Sequence, residues 1–403
     1  MQTGVVVGWI ERNLNKEFSV AAGIRSPAAY NFADDHSRHV VYLGGQGVAE
    51  STGVLHELYC GLDNVWHDKA LQNEAGGPLT TSAIPPAAYM FILEGTQHVL
   101  YQSTARDNHL WEMYWDNSWH ANDLSDNTGV LAAISDVAGF ETDAGRAQVV
   151  IFPGPDQHVH VLTRQSSGDN EPSWVHHDLT SDLGGPPCTR GLFAYAFEGD
   201  GSLHINYQEP DDGIIIGHIW EYVGTSNLTW SAPVDISGGL NGPTGHIRVS
   251  RGFGFLSDGT RHLPVVDSYG QIWEYVHNDQ WAVSNISEPL GAPPVQAPTL
   301  VASYAFEATH DVPVPTQHMI YAGEDGMIHE LWRESGAWQL NTLTGAESPR
   351  AVDSPSAFTD FASSSQNVYY ISDANEVVEL RWTPGGIHLT AGSQSAARGR
   401  IEK

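Results

Sequence analysis

The stretch Leu55-His56-Glu57-Leu58-Tyr59, followed a few residues later by Trp66-His67-Asp68-Lys69-Ala70-Leu71, decides the fold, because versions of this pair return to the end of the chain. They are Leu110-Trp111-Glu112-Met113-Tyr114 with Trp119, Ile219-Trp220-Glu221-Tyr222 with Trp230, Ile272-Trp273-Glu274-Tyr275 with Trp281, and Ile328-His329-Glu330-Leu331-Trp332 with Trp338. Val377-Val378-Glu379-Leu380 carries a degenerate second half, and Val159-His160-Val161-Leu162 with Trp174 is a weaker copy that lacks the carboxylate. A unit that returns about every fifty-odd residues, with several short strands in each, is the mark of a propeller. Four short β-type runs can be read per copy, in the first Ala28-Ala29-Tyr30-Asn31-Phe32, His39-Val40-Val41-Tyr42, Leu55 to Tyr59 and Trp66 to Leu71. The expected fold is all-β, a seven-bladed β-propeller of four-stranded antiparallel blades.

Blades of a propeller pack face to face, so their strands are covered on both sides and do not alternate cleanly between apolar and polar. In Ile219 to Val223, Ile219, Glu221 and Val223 share one face while Trp220 and Tyr222 share the other. The blades are expected near residues 26–78, 79–130, 131–187, 188–240, 241–294, 295–347 and 348–390 of a single domain. Residues 1–25 then form an N-terminal extension, in which Val5-Val6-Val7 reads as a strand or as a cover over one end of the ring, and residues 391–403 form a loose tail.

Forty-one Gly and 22 Pro, with aromatics at 10%, suit short strands joined by tight turns, and no stretch reads as a helix. The formal charge of -30 arises from a scarcity of Lys and Arg, which number 18 against 48 Asp and Glu. Nucleic acid and anionic membranes require a basic patch and are excluded as expected partners. No run is long enough to span a bilayer. Cys60 and Cys188 lie in different repeats and read as structural thiols. Gly4 to Ile10 is apolar, but no basic segment precedes it and Glu11-Arg12 follow, which makes a poor signal peptide. Cytoplasmic and secreted locations both stay open, and the sequons Asn227-Leu228-Thr229 and Asn285-Ile286-Ser287 matter only in the second.

Two readings compete for the repeated Glu residues, among them Glu112, Glu221 and Glu274: a carboxylate that braces its blade, or an acceptor for ligand hydroxyls. The rings before them, His56, Trp111, His160, Trp220, Trp273 and His329, read either as packing between blades or as the walls and donors of a pocket. The third repeat departs most, with His158, His160 and Trp174-Val175-His176-His177-Asp178, yet no tight ligand spacing stands out and no metal is expected. There is no phosphate-cradling Gly loop and no nucleophile elbow, so no cofactor is expected either.

A fourth-strand Trp, a third-strand Ile/Leu-x-Glu followed by an aromatic, and a second strand ending in Tyr resemble the fungal fucose-specific lectins of the Aleuria type. The resemblance covers nearly the whole chain and implies a propeller, of six blades in that family, with sugar pockets between adjacent blades. There an Arg just before the second-strand Val-Tyr, a third-strand Glu and an aromatic ring hold fucose. The Glu matches at Glu57, Glu112, Glu221, Glu274, Glu330 and Glu379 and fails at Val161, whereas Val40, Val99, Ile205, Met319 and Val368 stand where the Arg is expected. A divergent branch of the same lectin-like family implies hetero-Diels-Alderases that join a tropolone-type o-quinone methide to a humulene-type terpene.

Ligand-touching positions that differ from blade to blade point to one specialised pocket rather than repeated sugar sites. The expected function is a cofactor-independent pericyclase acting on polyketide and terpene substrates, with a lectin of altered, non-fucose specificity as the alternative, and the reading admits a homodimer. Trp111, Trp220 and Trp273 with Glu112, Glu221 and Glu274 would bind substrate, and His160, His329 and Tyr222 would donate hydrogen bonds to the reacting oxygens. Such an enzyme works by holding two partners in reactive geometry, drawing electron density from the quinone methide and excluding water.

Overall fold

The computed structural model describes residues 8–384 apart from 19, 24–26, 33–34, 45–51, 62, 82–83, 105–107, 131–132, 143–145, 166–172, 211–216, 244–246, 309–311 and 335. Seven antiparallel sheets surround one axis. Blade one comprises Ala28–Phe32, Ser37–Gly44, Thr52–Cys60 and Trp66–Ala70, and blade two Ala87–Phe91, Thr96–Gln102, Leu110–Trp115 and Trp119–Asp123. Blade three comprises Ala138–Glu141, Ala147–Pro153, Val159–Gln165 and Val175–Asp178, and blade four Arg190–Phe197, Ser202–Gln208, Ile219–Gly224 and Val234–Asp235. Blade five has Arg248–Val249 and Phe253–Phe255 as a broken inner strand, then Thr260–Val266, Ile272–Asn278 and Gln280–Asn285. Blade six comprises Ala302–Phe306, Thr316–Ala322, Ile328–Arg333 and Gln339–Thr342. The first three strands of blade seven are Ser356–Asp360, Ser365–Ile371 and Val377–Trp382.

The missing fourth strand of blade seven comes from the other end of the chain. Trp9–Asn13, which the repeat reading leaves in an N-terminal extension, pairs antiparallel with Val377–Trp382, Trp9 opposite Trp382 and Asn13 opposite Val378. Trp9 thereby completes the set of fourth-strand tryptophans: Trp66 stands opposite Cys60, Trp119 opposite Trp115 and Trp281 opposite His277, and Trp230 bridges to Gly224. Trp174 and Trp338 immediately precede the fourth strands of blades three and six. Val5-Val6-Val7 and the expected tail lie outside the described residues.

Because each blade is covered on both faces, its second strand is buried along its length, as Ser37–Gly44, Thr96–Gln102 and Ala147–Pro153 all are. The apolar residues do not form one core. They gather in seven clusters, each shared by two neighbouring blades, such as Val40, Tyr42 and Trp66 of blade one with Tyr369 and Ile371 of blade seven. Burying a side chain of this size contributes about 1.5–3 kcal/mol, so each interface holds its two blades.

Contrary to the expectation of no helix, Leu14–Phe18, Leu71–Ala75, Leu124–Thr128 and Leu179–Leu183 each make a single helical turn. The turns after blades two and three begin where Asp123 and Asp178 accept from the backbone N–H of Asp126 and Ser181, a local cap that a search for helical periodicity does not see.

Candidate functional site

In blades one, two, four, five and six the repeated carboxylate is the end of a chain of hydrogen bonds that crosses the blade. In blade one the Nδ1 of His39 donates to Glu57 at 2.8 Å, its Nε2 meets Ser37 Oγ at 2.5 Å, and the ring stacks on Tyr30 with centroids 5.0 Å apart. The same unit recurs as Thr96, His98, Glu112 and Tyr89, with Nδ1 2.8 Å from the carboxylate, and as Ser202, His204, Glu221 and Tyr195, at 3.0 Å. Thr260, His262, Glu274 and Phe253 repeat it in blade five and Thr316, His318, Glu330 and Tyr304 in blade six, at 2.8 Å each. Burial alone would raise a carboxyl pKa, yet the His204 hydrogen bond and the Arg261 charge hold Glu221 below the ordinary value. Burial, against the opposing pull of Glu221, lowers the pKa of His204.

Blade three shows what the unit is for. Where the carboxylate becomes Val161, the histidine position across the strand pair is Val149 and the stacking ring is Phe140, so the polar set is replaced together by an apolar one. A buried carboxylate without its donor would be costly, and the change of all three members avoids it. Glu112, Glu221 and Glu274 are at most 3% exposed; Glu112 also accepts from Asn122 of its own blade, and Glu221 and Glu274 meet Arg261 and Arg333 of the next.

The residue between the Ser/Thr and the His faces the preceding blade: where it is Arg it meets that blade's Glu, and Gln97, Gln148 and Gln366 accept from Tyr30, Tyr89 and Tyr304. It is Arg38 in blade one and Arg261 in blade five, and Gln97, Gln317 and Gln366 in blades two, six and seven. Gln148 holds the same place in blade three, and Leu203 in blade four faces the apolar Val161. Arg38 forms a buried ion pair with Glu379 of blade seven and lies 5.2 Å over Trp66. Arg261 reaches Glu221 at 3.0 Å and lies 5.4 Å over Trp281. Between blades five and six, Arg333 approaches Glu274 at 3.4 Å, lies 4.6 Å over Trp338, and Trp338 Nε1 donates to Glu274 at 3.1 Å. Cations therefore do meet the repeated Glu, from positions other than those where the family pattern places its Arg. The signals for two of them were Ser37-Arg38-His39 and Thr260-Arg261-His262.

Two other junctions stay open. Between blades two and three a cleft of about 700 Å³ is lined by His98, Glu112, Asn122, Arg164 and Trp174. Asn122 Nδ2 donates to Glu112 at 3.1 Å, and Arg164 is held by Glu94 at 3.1 Å, out of reach of Glu112 as an ion pair. Between blades six and seven a cleft of about 500 Å³ has the same polar floor, His318, Glu330, Asn341 and Gln366, under Trp9, Trp332 and Trp382. Asn341 Nδ2 donates to Glu330 at 2.8 Å, and Trp332 Nε1 is buried with no acceptor among the described residues.

The residues singled out from sequence stand one to three to a blade. Trp111, His160, Trp220, Trp273 and His329 occupy one register of the third strands of blades two to six, and Tyr222 shares blade four with Trp220, so they do not gather round one ligand. Trp220 Nε1 donates to Glu209 and Trp273 Nε1 to Asp267, both at 3.0 Å. His160 uses Nε2 on Asp156 at 3.0 Å and Nδ1 on His176 at 2.9 Å, and His329 uses Nε2 on Asp325 at 3.0 Å and Nδ1 on Thr342 at 3.2 Å. Tyr222 OH donates to the Gly184 carbonyl at 2.6 Å and the ring stacks on Tyr207. Of these nine residues, Glu112 lines one of the two open clefts.

Two groups could offer ligand atoms to a metal, His109, Asp123 and Asp126, and Asp156, His158 and Asp178, each set lying within 4.8 Å. In both, the central Asp already caps the following helical turn and accepts from the His, at 3.0 Å in His109 and 2.9 Å in His158. They are satisfied turns of the fold.

In its chain path the protein is similar to the BP39L lectin from Burkholderia pseudomallei, with a TM-score of 0.63 at 16% identity over 91% of this chain and 97% of that one. A triple mutant of AofleA from Arthrobotrys oligospora gives 0.51 at 14% identity over 73% and 81%. A mutant Aleuria aurantia lectin, solved with Fucalpha1-6GlcNAc, gives 0.49 at 16% identity over 81% and 100%. The first two likenesses show the fold. No protein-family model matches the sequence, and no curated protein matches it.

Proposed function

We propose that the protein is a carbohydrate-binding propeller whose ligands sit in the two open clefts, between blades two and three and between blades six and seven, and that its preferred sugar is not fucose. The observation that carries this is the cleft beside Trp174, where a half-buried indole stands next to Glu112, Asn122 and Arg164. Sugar recognition asks for planar acceptors and donors beside an aromatic face, and these four side chains supply both. The BP39L structure of similar fold is a lectin by its title, which agrees with this use of the scaffold. The missing Arg at Val99 and Met319, on the second strands that back the two clefts, argues against the fucose clamp.

A screen on immobilised neutral and acidic glycans, followed by calorimetry, tests the reading. Saturable binding of a non-fucosylated glycan, lost on Trp174→Ala or Trp332→Ala, is the expected result. Absence of any saturable glycan, or affinity unchanged in both variants, would sink it, and submillimolar binding of free fucose at several sites would overturn the specificity.

A second reading is favoured by the apolar walls of the other cleft, where Phe306, Pro313 and Val314 join Trp9, Trp332 and Trp382. Such a space suits an oxygenated aromatic partner carrying a terpene, with a donor aimed at the reacting oxygen. A hetero-Diels-Alderase of that kind would accelerate the coupling of a generated tropolone-type o-quinone methide with humulene. Product ratios equal to those without protein dismiss it.

A further inference from the structure

The inner strand of blade five is broken in a way that sends one side chain into the central channel. Arg248–Val249 and Phe253–Phe255 both pair with Thr260–Val266, but the register moves from Val249 opposite Val265 to Phe253 opposite His262. The inner strand thus carries one residue more than its partner across Ser250, Arg251 and Gly252. Pro264, opposite the break, has no N–H for the ladder, and its carbonyl accepts from Ser250 N at 3.0 Å. A bulge of this kind re-aims a side chain. The backbone around Arg251 is pinned on both sides: Ser303 Oγ of blade six donates to the Arg251 carbonyl at 2.5 Å, and a Cβ at Gly252 would meet Tyr195 at 2.8 Å and the His262 carbonyl at 3.0 Å.

Arg251 lines both lobes of the channel, cavities of about 230 and about 320 Å³. Two residues before the inner-strand ring, the other blades carry Ala28, Ala87, Ala138, Phe193, Ala302 and Ser356, so Arg251 is the single cation among the described residues that line the channel. Its side chain is open to the solvent of the channel. No carboxylate or carbonyl among the described residues accepts from its guanidinium. Asp136, which lines the first lobe, accepts from Gly191 N at 3.0 Å and forms no ion pair with Arg251. Glu307, which lines the second, accepts from Leu256 N at 2.7 Å and Ser257 Oγ at 2.6 Å. Burial draws the Arg251 pKa down with no neighbouring anion to oppose it, yet an arginine does not shed its charge in a folded protein. With its side chain open to the channel and its N–H donors unmet by the described residues, Arg251 can take an anion from outside.

We propose that the central channel is an anion-binding site in which Arg251 takes the oxyanion group of a small molecule, a carboxylate, phosphate or sulfate. The guanidinium fork presents two parallel N–H donors to such a group, and the small side chains of the neighbouring blades leave room for the rest of the ligand. The site is separate from the clefts between blades and does not rest on the carbohydrate reading.

Calorimetry at low ionic strength with sodium phosphate, and separately with sodium benzoate, tests it on the wild type, Arg251→Gln and Arg251→Lys. One-to-one binding of at least one probe is expected, weakened tenfold or more by Arg251→Gln and less by Arg251→Lys; preference for phosphate or for benzoate tells a tetrahedral from a planar ligand group. No saturable binding of either probe, or equal affinity in the wild type and Arg251→Gln, overturns the proposal. Should Arg251→Gln fail to fold, wild-type crystals soaked in selenate decide: an anomalous peak at the guanidinium supports the site, and peaks only elsewhere, or none, overturn it.

Discussion

The junction between blades seven and one and the junction between blades two and three have the same backbone plan and opposite contents. In the first, Arg38 fills the space, paired with Glu379 and lying over Trp66. In the second the corresponding place is held by Gln148, the arginine of the next strand is tied to Glu94, and a cleft of about 700 Å³ stays open beside Glu112. In this pair the place between the first two members of the second-strand unit is Arg at the closed seam and Gln at the open one, while between blades five and six Arg333 closes the seam from the third strand. The fold repeats, and on the carbohydrate reading proposed above function resides in which seams the protein leaves unfilled.

Breaking a closed seam carries the largest expected effect. Glu379→Ala leaves Arg38 buried without its counter-charge and should cost about 3–5 kcal/mol, read as a drop in the denaturation midpoint, with partial recovery in Arg38→Met/Glu379→Ala. An unchanged midpoint would show that the ion pair does not hold the seam. At the open seam the effect falls on binding instead: Trp174→Ala should lower glycan affinity by about 2 kcal/mol, roughly thirtyfold, with the midpoint nearly as in the wild type. A loss of stability without a change in affinity would assign Trp174 to packing.

Removing a hydroxyl from the bracing unit is milder. Thr260→Val keeps the shape of the side chain and deprives His262 Nε2 of its partner at 2.6 Å, an expected loss of about 1 kcal/mol by denaturation. An unchanged midpoint would show that the hydroxyl does not support the ring. The smallest effect concerns pH. The hydrogen bond that His158 donates to Asp178, ahead of the opposing burial, raises the pKa of His158. The stability it lends is full below the unfolded value of about 6.5 and is lost as pH rises through the raised value, and comparison of wild type with His158→Gln across pH 5.5 to 8 should show the difference vanish at the alkaline end. A difference that grows with pH would refute the sign.

Sequence disclosed the ring because its most regular feature, Glu followed by Trp on successive strands, is read along the chain. It hid the bracing unit because that unit is read across a strand pair. His39 and Glu57 are 18 residues apart, His98 and Glu112 14, and His262 and Glu274 12, while the register between their strands is constant. Variable hairpin lengths scatter in sequence what the ladder aligns in space. The histidines were visible as a scattered excess, and their partners were not. The open clefts were illegible for a further reason: they depend on what a neighbouring blade withholds, as Gln148 does, and an absence leaves no motif.

The ring is closed by Trp9–Asn13 lying against Val377–Trp382, and this has a temporal side. Trp9–Asn13 is made long before the strand it pairs with. At about 5–20 residues per second, it waits roughly 20–70 s while the rest of the chain is made, a bare edge with Trp9 exposed. Blades one to six can stack in the order of their synthesis, but the seventh needs both ends of the polypeptide at once, so a chain shortened at either end would leave an open arc with an uncapped strand, prone to pairing with a second molecule.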